Sequence, residues 1–159
     1  MAGTVEAIFL ARQKGTPRSE VASALAVVGR GLEGDKNCLK EGTVLTEDRA
    51  GREVTLIEAE ALVALERETG IVLDASEALR NLVTRGVRLN ELVGCQFAVG
   101  AVVLRGIEPC HPCSHLEKKT QPGVKAGLTN RGGLRAQVVR GGTIRTGDLV
   151  CCQIDDTCV

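Results

Sequence analysis

Two thiols and both histidines of the chain fall within six residues, Cys110-His111-Pro112-Cys113-Ser114-His115. Thiols three positions apart can converge on one metal ion, form a reversible disulfide, or let one sulfur resolve a bond begun at the other. Pro112 suits the first position of a helix, which would turn the amides of residues 113–116 toward the Cys113 sulfur and favour the thiolate, the reactive form. Three plainer readings stay open on spacing alone. Cys110 and Cys113 could be small buried core residues. They could hold structural zinc, with His115 or a distant Cys38, Cys151 or Cys152 completing the ligand set. They could also form a thioredoxin-type redox pair, although the flanking sequence lacks the βαβ setting of that motif.

A second group, Asn130-Arg131-Gly132-Gly133-Leu134-Arg135, sets two guanidiniums beside a glycine pair. Guanidinium forks and exposed glycine amides suit phosphate or another oxyanion. In a strand beginning near Leu134, Arg135 faces away from Leu134, Ala136 and Val138, so it stands either on plain surface or in a site. Arg80, Asn81 and Arg85 share that ambiguity, while Arg140 and Arg145 follow further on. Gly29-Arg30-Gly31-Leu32-Glu33-Gly34 fits G-x-G-x-x-G, but Asp35 to Gly42 is mostly polar and opens no apolar-periodic helix, so a structural turn is the better reading than a dinucleotide site.

The elements that must position these residues are mostly short. Val5–Leu10 reads as a strand, broken by Gly15-Thr16-Pro17, and a second apolar stretch runs from Ala22 to Val28. Residues 40–52 read as a loop. Thr55-Leu56-Ile57-Glu58 matches a capping box, and Ile57, Ala61, Leu62 and Leu65 share a helical face that ends at Gly70. Shorter helical pieces are expected over residues 76–83 and 90–93. Strands follow at 96–99 and 101–107 around a Gly100 turn, then at 134–140 and 143–145 flanking Gly141-Gly142, which suits a two-residue hairpin, and last at 149–154. Many short strands, 19 glycines and few helices point to a mainly β (α+β) fold, a barrel or sandwich with helical insertions, in one domain spanning 1–159.

The whole chain narrows the function classes. Twenty basic residues balance 20 acidic ones, and with no Trp, no Tyr and two Phe there is neither an electrostatic footprint nor a stacking platform for nucleic acid. No apolar run is long enough to span a bilayer, and the first residues carry no secretory pattern, so a cytoplasmic, reducing location is expected. In that setting seven cysteines favour reactive or metal-binding thiols over a disulfide framework.

Taken in order, Gly31-Leu32-Glu33-Gly34-Asp35, Val54-Thr55-Leu56-Ile57-Glu58, Asn81-Leu82-Val83-Thr84-Arg85-Gly86, Leu89-Asn90 with Leu92 and Gly94, Glu108-Pro109-Cys110 with Pro112-Cys113, and Gly132-Gly133-Leu134-Arg135 resemble the MOSC domain, named for the C-terminal domain of molybdenum cofactor sulfurase. The resemblance implies an irregular β-barrel with a few peripheral helices. It also implies sulfur handling: a cysteine thiolate that carries persulfide sulfur or ligates molybdenum, here Cys113 as principal sulfur and metal ligand, with Cys110 in support. Arg85, Asn81, Arg131 and Arg135 become candidates for holding the molybdenum cofactor (molybdopterin) by its phosphate. A pyridoxal-phosphate-dependent cysteine desulfurase is the implied sulfur donor, and molybdenum-cofactor enzymes or biosynthesis proteins are the implied partners. A molybdenum-dependent reductase of N-hydroxylated compounds, and a zinc or CxxC redox module, remain the alternatives. Two departures stand out: Lys36-Asn37-Cys38 follows Asp35 where relatives often place a basic residue and then His, and the pyridoxal-phosphate domain of the sulfurases is absent from a module expected to stand alone.

Overall fold

A computed structural model describes residues 2–13, 17–40, 51–112 and 114–152 of the chain. Most of the loop expected at 40–52 lies outside these residues, as do Cys113, Cys158 and the end of the last expected strand. Seven strands close a barrel: β1 (Ala2–Leu10), β5 (Val54–Glu58), β6 (Leu82–Arg85), β7 (Gln96–Val99), β8 (Val102–Pro109), β9 (Leu134–Arg140) and β11 (Leu149–Cys151). Their order is β11-β7-β8-β9-β5-β6-β1, and β1 returns to pair with β11. The pairings are antiparallel except β5 with β6, which run parallel with Leu56 opposite Leu82. A parallel pair needs a crossover, and helix α1 (Ala59–Thr69) supplies it.

Strand β2 (Ser19–Val21) extends the sheet along the last residues of β1, and β3 (Ser23–Val27), β4 (Gly31–Leu32) and β10 (Gly142–Arg145) form a separate three-stranded sheet. Ala24, Ala26, Leu32 and Ile144 of that small sheet join one buried cluster with barrel residues Val5, Ile8, Leu56, Phe97 and Leu104, so it packs against the barrel's own core. A second cluster lies outside the barrel wall, where Phe9, Ile57 and Val83 meet Leu65 of α1, Leu116 of α2 (Ser114–Lys119), and Val124 of α3 (Val124–Gly127). The expected barrel with peripheral helices is the observed architecture.

Three local expectations need correction. Thr55 caps no helix: Val54–Glu58 is a strand, α1 starts at Ala59, and Glu58 makes no side-chain cap bond. Strand β5 is buried on both faces over Val54–Ile57, so its unbroken apolar run lacks the alternation that marks a strand. Gly70 does end the helix, at φ 77°. Over 76–83 only a single 3-10 turn, Ala75–Ala78, is helical; Leu79 turns left-handed at φ 60° and the chain enters β6. Gly141-Gly142 makes no hairpin, because β9 pairs with β8 and β5 while β10 leaves to pair with β3. The glycines form a corner between two sheets, where a side chain at Gly141 would sit 2.7 Å from the Ala26 carbonyl oxygen.

Candidate functional site

Cys110 leaves the end of β8 and is 2% exposed. Its amide donates to the Gly133 carbonyl oxygen at 2.8 Å, drawing the thiol-bearing strand end against the glycine pair. A side chain at Gly132 would collide with the Cys110 carbonyl and lie 2.7 Å from Pro112 Cδ, and Gly133 adopts φ 117° against the Leu56 carbonyl. Both positions therefore require glycine. Arg80 fixes the pair from below: its Nε donates to the Gly132 carbonyl at 3.0 Å and its Nη1 to the Leu79 carbonyl at 3.2 Å.

Cys110 lines a cavity of about 200 Å³. Its other walls come from the ends of six elements. Arg18 precedes β2, Lys36 and Asn37 follow β4, Thr55 lies on β5, Arg80 precedes β6, His115 and Lys119 stand one turn apart on α2, and Arg135 projects from β9. Five of the lining side chains are cationic and, among the described residues, none is a carboxylate. A second chamber of about 260 Å³ shares Arg18, Leu79 and Lys119 with the first and adds Pro17, Ser76, Glu77 and Thr120.

The floor is a closed network of hydrogen bonds. Asn81, 2% exposed, accepts on Oδ1 from the Thr55 amide (3.1 Å) and hydroxyl (3.2 Å), and donates from Nδ2 to the Phe9 carbonyl (3.1 Å) and Asp35 Oδ1 (3.3 Å). Asp35 also accepts from the Ala11 amide at 2.9 Å and the Asn37 amide at 3.1 Å, which sets the turn carrying Lys36. Arg18 is placed differently. Its side chain is 6% exposed, Asp35 Oδ1 is 3.7 Å from its Nη1, and neither Nε nor Nη1 has a hydrogen-bond partner. Burial pushes this guanidinium below its ordinary value, Asp35 opposes that, and the nearby Arg80 adds to it by repulsion. Among the described residues, these two nitrogens are the buried side-chain N or O atoms left without a partner.

The MOSC domain sequence profile matches residues 36–151. The chain belongs to the MOSC domain family. Solved structures agree on the fold of this MOSC domain. The YuaD protein of Bacillus subtilis is 17% identical, with 94% of each chain covered and a TM-score of 0.78. YiiM of Geobacillus stearothermophilus is 18% identical, covering 99% of this chain and 78% of its own, with a TM-score of 0.72. YiiM of Escherichia coli is 16% identical, covering 98% and 71%, with a TM-score of 0.68. No curated protein matches the chain.

Of the residues singled out in the MOSC sequence, the structure brings Cys110 and Arg135 to one cavity, with Asn81 beneath it. Arg135 faces outward as alternation requires, with its Nε 3.7 Å from Glu108 Oε1. Cys113 lies outside the described residues, between Pro112 of the Cys110 loop and Ser114 at the start of α2. Arg85 is elsewhere, on the surface, donating from Nε to Glu6. Arg131 is also elsewhere, bonded to the Gly127 carbonyl at 2.9 Å and paired with Glu68. Sequence reasoning missed Arg18, Lys36 and Lys119 as lining residues. The histidine on the cavity wall is His115, whereas His111 lines a smaller pocket of about 90 Å³ that Cys110 also lines. Among the described residues no three of His, Cys, Asp and Glu converge on a metal position, and no helix is long and apolar enough to cross a membrane.

Proposed function

We propose that this MOSC domain binds a phosphate-bearing anionic cofactor of the molybdopterin kind in its basic cavity and offers it a cysteine sulfur, Cys113 as ligand or persulfide carrier and Cys110 in support. One observation carries the reading: five cationic side chains and a thiol line one cavity, with no carboxylate among the described residues that line it. Such a lining is unfavourable when empty, because like charges repel in a partly dehydrated space, and an anion relieves it. The two unpartnered nitrogens of Arg18 fit the same kind of group.

In this reading Arg18, Lys36, Lys119 and Arg135 hold the anion, and Arg80 keeps the glycine pair and hence Cys110 in place. The bound group would supply redox-active molybdenum chemistry. The chain itself supplies charge neutralisation, exclusion of water by the walls, and the sulfur. As a carrier, the Cys113 thiolate would attack the terminal sulfur of a donor persulfide on a pyridoxal-phosphate-dependent cysteine desulfurase. A new S–S bond forms at Cys113, the donor's S–S bond breaks, and the donor leaves as thiolate, so atoms and electrons balance without an added oxidant.

Anaerobic purification followed by metal and pterin analysis tests the cofactor reading; molybdenum with pterin supports it, and stoichiometric zinc overturns it. Mass spectrometry after incubation with a cysteine desulfurase and cysteine tests sulfur carriage. A gain of one sulfur that survives Cys110→Ser and disappears in Cys113→Ser is the expected result, and a gain retained by the Cys113 variant removes Cys113 from the role.

A further inference from the structure

Cys110 is shared by two recesses of opposite character. One is the basic cavity; the other, of about 90 Å³, is lined by Asn90, Pro109, His111, Asn130, Gly132 and Gly133 together with Cys110. Among the described residues, Cys110 is the member common to both linings, and the smaller pocket contains no lysine, arginine, aspartate or glutamate. A single water needs roughly 10–15 Å³, so this neutral pocket has room for a molecule of several heavy atoms.

The pocket is held open by the fold. Asn90 stands on the 3-10 turn Leu89–Leu92, and its Nδ2 donates to the Asn130 carbonyl at 2.8 Å. Asn130 takes a left-handed backbone at φ 65°, which asparagine tolerates, and the chain then enters Gly132-Gly133. The Gly133 carbonyl holds the Cys110 amide, so the rim and the thiol-bearing residue share one frame. Asn90, His111 and Asn130 are exposed while Cys110, Gly132 and Gly133 are buried, which makes the pocket an opening to solvent with Cys110 at its base.

Its chemistry selects a class of ligand. The carboxamides offer neutral hydrogen-bonding groups, an imidazole can take up a thiol proton, and the reactive group at the base is a thiol. Going beyond the cofactor reading, we infer that this neutral pocket is a second port to Cys110, distinct from the basic cavity, that admits small uncharged thiols and disulfides. In the exchange Cys110, its proton passing to the His111 imidazole, attacks one sulfur of a disulfide. A bond forms between those sulfurs, the S–S bond of the small molecule breaks, and its other half leaves as a thiolate. Attack by a small thiol on the adduct reverses the step. An anion in the basic cavity then does not block reduction at Cys110.

Peptide-mapping mass spectrometry tests this on the intact chain carrying Cys113→Ser, which keeps the neighbouring thiol from resolving the adduct. Hydroxyethyl disulfide is compared with the dianion dithiodiglycolate, each rate divided by that reagent's rate with free cysteine. Cys110 reacts at least about fivefold faster with the neutral reagent on this scale, whereas entry past five cationic side chains reverses the order. Asn90→Trp, which fills the pocket from an exposed position, slows the neutral reagent at Cys110 by about tenfold or more and leaves half-buried Cys38, on the turn after β4, unchanged. Parity or a faster dianion, no reaction at Cys110 where Cys38 reacts, or a folded Asn90→Trp with unaltered rates each overturns the port. If Asn90→Trp misfolds, the comparison of reagents decides alone. Because the readout is Cys110 itself, absence of molybdenum, pterin or a Cys113 persulfide would remove the proposed function and leave the port standing.

Discussion

Asn81 and Arg18 both approach Asp35, yet they belong to regions built on opposite rules. The floor around Asn81 is saturated: Oδ1 takes two donors from Thr55, and Nδ2 reaches a backbone carbonyl and a carboxylate. The wall around Arg18 is left open, with a guanidinium buried to a similar degree and two nitrogens unbonded. Saturated networks rigidify a fold, whereas an under-bonded charge costs stability until something binds. The floor should therefore dominate stability and the wall should dominate ligand affinity.

The sharpest way to break that contrast is at the glycine pair beneath Cys110. Gly133→Ala places a Cβ against the Leu56 carbonyl at φ 117°, and we expect a loss of about 3 kcal/mol or more in chemical denaturation. A loss below about 1 kcal/mol would show the floor to be compliant. Asn81→Ala strands the Thr55 amide and the Phe9 carbonyl in a buried site and should cost about 2–3 kcal/mol by the same measurement.

Glu53 offers a finer probe. It is 6% exposed, like Asp35, and accepts a hydrogen bond from the Val138 amide at 3.0 Å. Burial raises its folded-state value above the ordinary 4.5, and the Val138 bond opposes that. Its contribution to stability is thus full below about pH 4.5 and falls as pH rises through the raised value. Glu53→Gln, which can still accept from Val138, should raise stability near neutral pH and lose that advantage toward pH 4.5 in thermal unfolding across pH. An advantage that grows on acidification would contradict the sign. The smallest expected change is Arg18→Met: because Asp35 keeps three N–H donors, stability should move by less than about 1 kcal/mol. A large loss of stability would make Arg18 part of the floor after all.

The barrel was legible because short apolar runs punctuated by glycine leave few other solutions, and the outward face of Arg135 followed from strand alternation alone. What escaped was decided by distant pairing. The run Val54–Ile57 looks helical locally because both of its faces are buried, and only β6 and β9 on either side make it a strand. Gly141-Gly142 has hairpin chemistry, but β10 finds its partner in β3, more than a hundred residues earlier. Arg18 carries no motif; its importance comes from burial against Asp35, which no spacing encodes. Arg85 and Arg131 make the same point, since residue type and nearness to the motifs did not bring either to the cavity, and each pairs instead with a carboxylate far off in the sequence, Glu6 and Glu68.

The clamp on Cys110 has a consequence for kinetics. Its backbone is fixed by the Gly133 carbonyl and crowded by Gly132, so the order needed around this sulfur is in place before any ligand arrives. Binding then demands little further loss of freedom from the protein at this position, and ligands that fit should differ chiefly in how long they stay rather than in how fast they enter.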